Sequence, residues 1–476
     1  MSESSGAVAT AAIEAEVREG TYGAKVAAVE PGGAEFIPLS ERHGTPLQQF
    51  WTWVSPNMEF ATIFVGIIGV WFFGQSFWMA SLAIVLGTAL GSVSMGALAA
   101  RGPLFGVPQM VLSRIGFGFL GNILPAGINA VVAGIGWFAV NSVSGAFALN
   151  ALFGWNSKIC LLIIVLAQLA VAFFGHNLVH MFERLAFPFL VVVFAIASVV
   201  IVSKSHPGAH IAGVPGGFLI TFGAAFGYAA GWNPYASDYT RYLPKDTNRK
   251  ATGLWAGLGV FLSCVLLEVA GAGLATVAGT KWGPSDIPTA QLAQALPDVL
   301  FKATLLAIAL GAVAANVLNI YSAAMSFLTV GIRLSLRRRR AIVAAGSGVL
   351  GLVIGLAFEA NVGPGSKYEE FLLVISYWIG PWLGVVLTDY WLRRGDFGDG
   401  SIFFSGAHNT WAGFGAMVIA GAVSIFLFAA QALYTGPVPL RVPQLGDLTF
   451  LVGFALSALL YAGFHGFRRI AAPRSA

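Results

Sequence analysis

Twelve long apolar stretches dominate this 476-residue chain, and each is long enough to cross a lipid bilayer as a helix. They are centred near residues 65, 89, 135, 167, 192, 225, 266, 316, 350, 379, 420 and 458. A spanning helix needs roughly 20 mostly apolar residues. A hydrophobic fraction of 57% with only 10% charged residues leaves no room for a large soluble domain. The sequence therefore predicts an all-α membrane protein with about twelve transmembrane helices, surrounded by the lipid bilayer.

Lysine and arginine residues are distributed unequally between the connections of this arrangement. All but six of the 26 fall on one side; the six are Lys158, Lys204, Lys281, Lys302, Lys367 and Arg441. Because basic residues accumulate on the cytoplasmic side, we expect both termini in the cytosol and the body in the inner (plasma) membrane of the cell. The four arginines at 337–340 suit an inner loop beside anionic headgroups, so no nucleic acid is expected as a partner.

The two ends of the chain differ in composition from the apolar body. Residues 1–50 are rich in acidic and small residues and contain no apolar run long enough for a span or a signal peptide. We expect a cytosolic, largely disordered tail over 1–50. A transmembrane domain would follow over 51–468, and a short cytosolic tail would close the chain over 469–476.

Cofactor and metal sites are not expected. The two cysteines, Cys160 and Cys264, lie in separate predicted spans, so neither a disulfide nor a metal framework is indicated. His176 and His180 are four residues apart at a short turn, where hydrogen bonding at the membrane interface is the favoured interpretation. The sequence also lacks a nucleotide-binding Gly-rich Lys loop and a nucleophile elbow.

Two of the apolar stretches contain helix-breaking residues where a spanning helix should continue. In the sixth, GYAAGWNPYASDYTRYLP, Gly231 loosens the helix and Pro234 removes a backbone donor. In the first, WTWVSPNMEFATIF, Pro56 and Asn57 interrupt the apolar run. Broken helices at matching places in two halves are typical of transporters built from inverted repeats, which hold their substrate between the breaks. Two ordinary proline kinks are the alternative interpretation.

Spans three and eight, at matching places in the two halves, carry polar groups at depth. Trp137 and Asn141 are four residues apart and share a helical face, and Asn316 and Asn319 lie three apart in span eight. Bonds between helices are the simpler role for such amides. Together with Trp232, however, they would let two indole rings sandwich a flat ring while amides bond its edge. The pattern favours a planar heterocycle with both N–H and C=O groups.

A resemblance to a known family rests on three stretches: GWNPYASDYTRYLP, RGPLFGVPQMVLSRIGFGFLGNILP and GWFAVNS. Over roughly residues 45–465 the chain resembles the purine/cytosine permease family of the nucleobase:cation symporter group. It implies a LeuT-like fold, a 5+5 inverted repeat plus two C-terminal helices, that imports a nucleobase such as cytosine or a purine with a cation. The substrate-binding positions it implies are Trp137, Asn141, Trp232 and Asn319, with Asn316 and Gln168 as further candidates.

A proton is the expected coupling ion. Sodium-coupled transporters that share this fold resemble one another in using Ser or Thr hydroxyls of helix eight, whereas residues 311–315 read GAVAA. Glu268 matches a glutamate that the family's proton-coupled branch carries in span seven, and Glu59 follows the first break. A carboxylate within a span is costly and is by default a functional group. Both are therefore candidates for ion coupling. Na⁺ remains an alternative, since carbonyls and water also bind it.

Three other functions are less well supported. A membrane-embedded enzyme would need a cluster of His, Asp or Cys at one depth, and the predicted spans show none. A channel is weakly supported, because it would favour rings of like charge or a repeated filter loop. Transport of another small molecule on the same fold, such as a vitamin precursor, an allantoin- or hydantoin-like compound or an amino acid, remains open. An amino-acid carrier would favour a Gly-rich first break with free N–H groups, whereas this break is Pro-Asn.

Overall fold

The computed structural model describes residues 22–26, 28, 30, 33–209, 212–277, 288–331, 346, 349, 352–353, 356, 366–394 and 400–471. Within these ranges the regular elements are helices, and the one β-type contact is an isolated bridge between Ala430 and Thr435.

The helices that build the bundle follow one another along the described parts of the chain. They are α1 (Gln48–Val54), α2 (Phe60–Trp71), α3 (Phe77–Ala99), α4 (Ile123–Phe153), α5 (Ser157–Phe174), α6 (His176–Lys204), α7 (Gly217–Ala230), α8 (Ala236–Thr240), α9 (Arg249–Val277), α10 (Asp298–Thr329), α11 (Ser366–Leu392), α12 (Ala412–Phe428) and α13 (Thr449–Ala471). One-turn helices Gly102–Phe105, Gln109–Leu112, Arg114–Phe117 and Pro437–Arg441 fill the connections.

Seven of the described helices are long and apolar enough to cross a membrane alone, and the bent pair α1–α2 makes eight. Two shorter apolar helices, Ala412–Phe428 and Thr449–His465, follow near the C-terminus. Eleven of the twelve expected span centres fall within α2 to α13. The ninth, near residue 350, lies outside the described residues apart from isolated positions.

The first span changes direction within a few residues. A 3₁₀ turn over Ser55–Asn57 ends α1, Glu59 is extended with φ −152° and ψ 176°, and the helices on either side are bent by 60°. Side chains form hydrogen bonds with backbone groups that the break would otherwise leave without a partner. The Asn57 amide donates to the Trp53 carbonyl over 2.8 Å, and the Thr62 hydroxyl donates to the Asn57 carbonyl over 2.5 Å. Such pairing is required of irregular backbone at membrane depth.

The sixth span is interrupted in a similar way. Helix α7 ends at Ala230, a 3₁₀ turn covers Asn233–Tyr235 with Pro234 at its start, and α8 resumes at Ala236. The Asn233 amide donates to the Ser94 hydroxyl over 2.6 Å, which ties this turn to α3.

Helices α2 and α9 approach each other closely through glycines. A Cβ atom on Gly66 would lie 1.7 Å from the Glu268 carbonyl oxygen, and one on Gly271 would lie 1.8 Å from the Ile63 carbonyl oxygen. Small residues allow this backbone-to-backbone packing in membrane helices.

Part of the expected N-terminal tail packs against the helical body. Tyr22, Glu30 and Ile37 are buried. The Glu30 carboxylate accepts hydrogen bonds from the guanidinium of Arg241 and the hydroxyl of Tyr321, both over 3.0 Å. We call the described residues between 22 and 42 the N-terminal segment. It contacts the chain beyond the second break and the neighbouring part of α10.

Candidate functional site

One small cavity lies where the two broken spans meet α4 and α10. It is lined by Glu59, Trp137, Asn141, Tyr228, Gly231, Trp232 and Asn319. The cavity has a volume of about 10 Å³, which is room for about one water molecule. The cavity is therefore nearly closed in this conformation, and a ring-sized ligand requires its walls to separate.

Two indole rings, those of Trp137 and Trp232, form part of the lining. Trp137 makes edge-to-face contacts with Tyr228 at 5.5 Å and with Phe371 at 5.1 Å between ring centroids. The Trp232 ring contacts Trp53 edge-on at 5.7 Å. Edge-to-face pairs hold an aromatic ring in place without covering it as a stacked partner would.

The break in span one is joined directly to the break in span six. The Trp232 indole N–H donates to the side-chain oxygen of Asn57 over 2.8 Å. Because the Asn57 nitrogen already donates to the Trp53 carbonyl, the orientation of the Asn57 amide is determined. Residues of both breaks thus meet beside the cavity, with Gly231 lining it and Pro234 in the turn behind.

Three buried asparagines form a branched hydrogen-bond network between α4 and α10. The side-chain nitrogens of Asn141 and Asn319 both donate to the Asn316 oxygen over 3.1 Å. Asn316 in turn donates to the Phe138 carbonyl over 2.8 Å and to the Ser142 hydroxyl over 3.1 Å. Asn141 and Asn319 line the cavity, whereas Asn316 lies behind them.

Gln168 lies one layer further out. Its nitrogen donates to the Ala312 carbonyl over 3.2 Å, and its oxygen accepts from the Ser142 hydroxyl over 3.0 Å. Neither Gln168 nor Asn316 lines the cavity. Asn316 bonds the lining residues Asn141 and Asn319 directly, whereas Gln168 is linked to Asn316 through the Ser142 hydroxyl.

The two intramembrane glutamates lie in different places. Glu59 lines the cavity, and the Tyr228 hydroxyl approaches its carboxylate to 3.5 Å. Glu268 is fully buried between helices outside this lining, where it accepts a hydrogen bond from Thr88 of α3 over 2.8 Å. Only Glu59 is therefore placed to contact a ligand in the cavity directly.

Helix α10 packs tightly against the first break at residues 311–315. A Cβ atom on Gly311 would lie 1.9 Å from the Met58 carbonyl oxygen. This turn supplies no hydroxyl group. Across the part of the chain that the structure describes, no group of three or more His, Cys, Asp or Glu side chains is arranged to hold a metal ion.

Comparison with known proteins decides the family. Residues 36–453 match the family described as permeases for cytosine/purines, uracil, thiamine and allantoin. The chain belongs to this family. Relatives include YxlA of Bacillus subtilis, 29% identical over 91% of this chain and 95% of that protein. The purine-cytosine permease fcyB of Emericella nidulans is 27% identical over 91% of this chain and 87% of that protein.

A solved structure shares the fold of this permease. Mhp1, a nucleobase-cation-symport-1 family transporter, superimposes with a TM-score of 0.70 and 17% identity, covering 93% of this chain and 96% of that chain. The structure described as the inward-facing conformation of Mhp1 gives the same TM-score. The predicted all-α, LeuT-like architecture is thereby confirmed. The chain is a multi-pass membrane permease rather than an enzyme.

Sequence reasoning missed Tyr228 and Thr62. Tyr228 lies four residues before Trp232, and its hydroxyl meets both the Thr62 hydroxyl, at 2.5 Å, and the Glu59 carboxylate. Tyr228 lies in the last turn of α7, directly before the break at Gly231, and this nearness to the break is the signal that the sequence offers. Thr62 is one of many small hydroxyl residues in the spans and carries no such signal.

Proposed function

We propose that this permease is a secondary active symporter that imports a nucleobase such as cytosine or a purine. The observation that carries the proposal is the convergence of Trp137, Trp232, Asn141 and Asn319 on one cavity between two broken helices. Such breaks surround the substrate in transporters with inverted repeats. The two indole faces suit a planar ring, and the two amides suit its polar edge.

The same site supports roles for the remaining candidates. Trp137 and Trp232 stack on the base, and Asn141 and Asn319 bond its edge. Asn316 and Gln168 hold these amides in position. The breaks at Pro56–Asn57 and Gly231–Pro234 supply the movable walls that the nearly closed cavity requires.

We infer that the coupling cation is a proton, with Na⁺ as the alternative. Glu59 lies in the cavity itself, so a proton on its carboxylate and a base between the tryptophans would be held side by side. Protonation removes the free-energy cost of a charged carboxylate at membrane depth. Conformations that bury Glu59 are therefore favoured when it is protonated, which links protonation to the conformational cycle. Close packing of Gly311 on Met58, without a hydroxyl in this turn, disfavours a sodium site between these helices.

The proposal places the permease in the inner (plasma) membrane with both termini in the cytosol. Excess Lys and Arg in the loops assigned to that side support this orientation. The N-terminal segment would then lie on the cytoplasmic side of the cavity.

Competition in proteoliposomes tests the substrate class. Uptake of radiolabelled cytosine and of radiolabelled adenine is measured under an acidic exterior and challenged with an excess of unlabelled bases, allantoin, a hydantoin, thiamine and leucine. We expect bases to compete and leucine not to compete. Competition by leucine without competition by any base would overturn the proposal. Preferential competition by allantoin or the hydantoin would identify the alternative cargo on the same fold.

A further inference from the structure

The hydrogen bonds around Asn316 determine which way three buried amides point. A carbonyl oxygen only accepts, so the Asn316 group 2.8 Å from the Phe138 carbonyl must be its NH₂. The Asn316 oxygen therefore faces the other way, toward Asn141 and Asn319. An oxygen likewise only accepts, so both neighbours turn their NH₂ groups to it, each over 3.1 Å.

This arrangement leaves the two cavity amides with their oxygens free. Among the described residues, the side-chain oxygens of Asn141 and Asn319 are buried and have no hydrogen-bond partner. Leaving a buried acceptor unpaired costs about 1–3 kcal/mol. A ligand that donates N–H groups to these oxygens removes that cost, whereas a ligand that offers only carbonyl groups does not.

Two other polar groups of the lining are the Glu59 carboxyl and the Trp232 indole N–H. Glu59 contributes a carboxyl group, which only accepts hydrogen bonds when ionised and adds one O–H donor when it carries the coupling proton. The Trp232 indole N–H is already committed to Asn57 over 2.8 Å. Asn141 and Asn319 are therefore the lining amides whose oxygens are open to N–H donors of a ligand.

We propose that Asn316 is a positioning residue that sets Asn141 and Asn319 as hydrogen-bond acceptors, so that the site selects its cargo by the N–H groups on the ring edge. This inference rests on the proposed function, and it narrows the substrate class to heterocycles with at least two N–H donors. Removal of an N–H donor from the ring lowers binding affinity, whereas a ring carbonyl that is a weaker hydrogen-bond acceptor leaves the affinity nearly unchanged.

The wild-type permease tests this inference without any mutation. Inhibition constants are measured for cytosine, for pyrimidin-2-one, which lacks the exocyclic amine, and for 2-thiocytosine, which keeps every N–H group but has a weaker acceptor. We expect pyrimidin-2-one to bind roughly tenfold or more weakly than cytosine, which corresponds to one buried acceptor left without a partner. We expect 2-thiocytosine to bind less than about threefold more weakly. Adenine and purine provide the same donor deletion if a purine binds better.

A variant pair tests the positioning role. Asn316→Leu releases both cavity amides to rotate, so we expect the ratio of the two analogue constants to fall toward one. Asn129→Leu is the matched control. Asn129 is also a buried asparagine between α4 and α10. Its hydrogen bond to the Ser326 hydroxyl is 2.8 Å long, and neither residue lines the cavity. Its loss should lower stability while leaving the analogue ratio of the wild type unchanged.

Three results would count against the inference. Equal losses for the two analogues, or a larger loss for the thiocarbonyl compound, overturn it even if both variants fail to fold. An Asn316→Leu permease that keeps the wild-type ratio removes the positioning role. Failure of every base to bind overturns the proposed function, and this inference with it, whereas the first two results leave the proposed function intact.

Discussion

Trp137 and Trp232 are the largest side chains of the cavity lining, and edge-on neighbours hold both rings. We expect Trp137→Ala and Trp232→Ala each to weaken binding of the transported base by about 1–3 kcal/mol, the usual worth of stacking a base on an aromatic ring. Equilibrium binding of radiolabelled base to purified permease measures this loss. Trp78→Ala is the control, because that ring is 66% exposed on α3, and it should leave affinity unchanged. Unchanged affinity in a cavity variant would remove that ring from the stacking pair.

The positions of Glu59 and Glu268 lead to a second expectation for single residues. Glu59→Gln keeps the shape of the side chain but cannot exchange a proton. We expect it to abolish accumulation driven by an acidic exterior while the exchange of internal for external base continues. Glu268→Gln lies outside the cavity lining, and we expect it to retain proton-driven accumulation.

Proteoliposomes under a pH gradient without sodium provide the measurement for both variants, and a second set under an inward sodium gradient at equal pH provides the comparison. Loss of accumulation in Glu268→Gln alone would move the coupling group to the α3–α9 contact. Accumulation driven by sodium at equal pH on both sides, and unaffected by either change, would rule out the proton.

At the scale of helices, the contact between α2 and α9 depends on glycine. Gly66→Ala places a Cβ atom 1.7 Å from the Glu268 carbonyl oxygen, so the two helices must separate. Overpacking of this kind typically costs about 1–3 kcal/mol, and we expect a lower apparent melting temperature in detergent. Gly127→Ala is the matched control, since nothing lies within 4 Å of its added Cβ, and it should melt at or above the wild-type temperature. Equal melting of the two variants would contradict the close contact.

The helix breaks follow from local chemistry, whereas the direction in which a helix turns its polar residues does not. Pro56 and Pro234 interrupt backbone hydrogen bonding wherever they stand in a span, so the sequence alone indicates them. Asn316 and Asn319 are three residues apart on α10, which places them on adjoining parts of the helix surface. Which one faces the cavity depends on the rotation of α10 against α4. That rotation is determined by long-range packing, and only the structure places Asn319 in the lining and Asn316 behind it.

At the scale of the whole molecule, the N-terminal segment could not be predicted from composition. An acidic, weakly apolar stretch is typical of disorder, yet Glu30 is 1% exposed and its ion-pair partner Arg241 is fully buried. The two residues are 211 positions apart. A sequence pattern read in short windows cannot detect such a partner, because the contact exists only after the spans have assembled.

Removal of Glu30 gives the last prediction. In Glu30→Ala the Arg241 guanidinium stays buried without its carboxylate, and breaking one side of a buried pair typically costs about 3–5 kcal/mol. We therefore expect a large drop in the apparent melting temperature of purified permease. Asp298→Ala is the control, because it breaks an ion pair at the surface: the side chain of Asp298 is 72% exposed and that of Lys302 is 58% exposed. Exposed pairs contribute about 0–1 kcal/mol to stability. It should melt close to wild type.

The double variant Glu30→Ala/Arg241→Met separates the charge from the packing. Methionine fills much of the arginine volume without a charge, so no uncompensated ion remains, and replacing a buried pair by apolar groups is often neutral. Some hydrogen bonds are still lost, because Arg241 also donates to the Gly33 carbonyl over 2.7 Å. We expect the double variant to melt above Glu30→Ala and below wild type. If Glu30→Ala melted like Asp298→Ala, the N-terminal segment would not be anchored by this ion pair in the membrane-extracted protein.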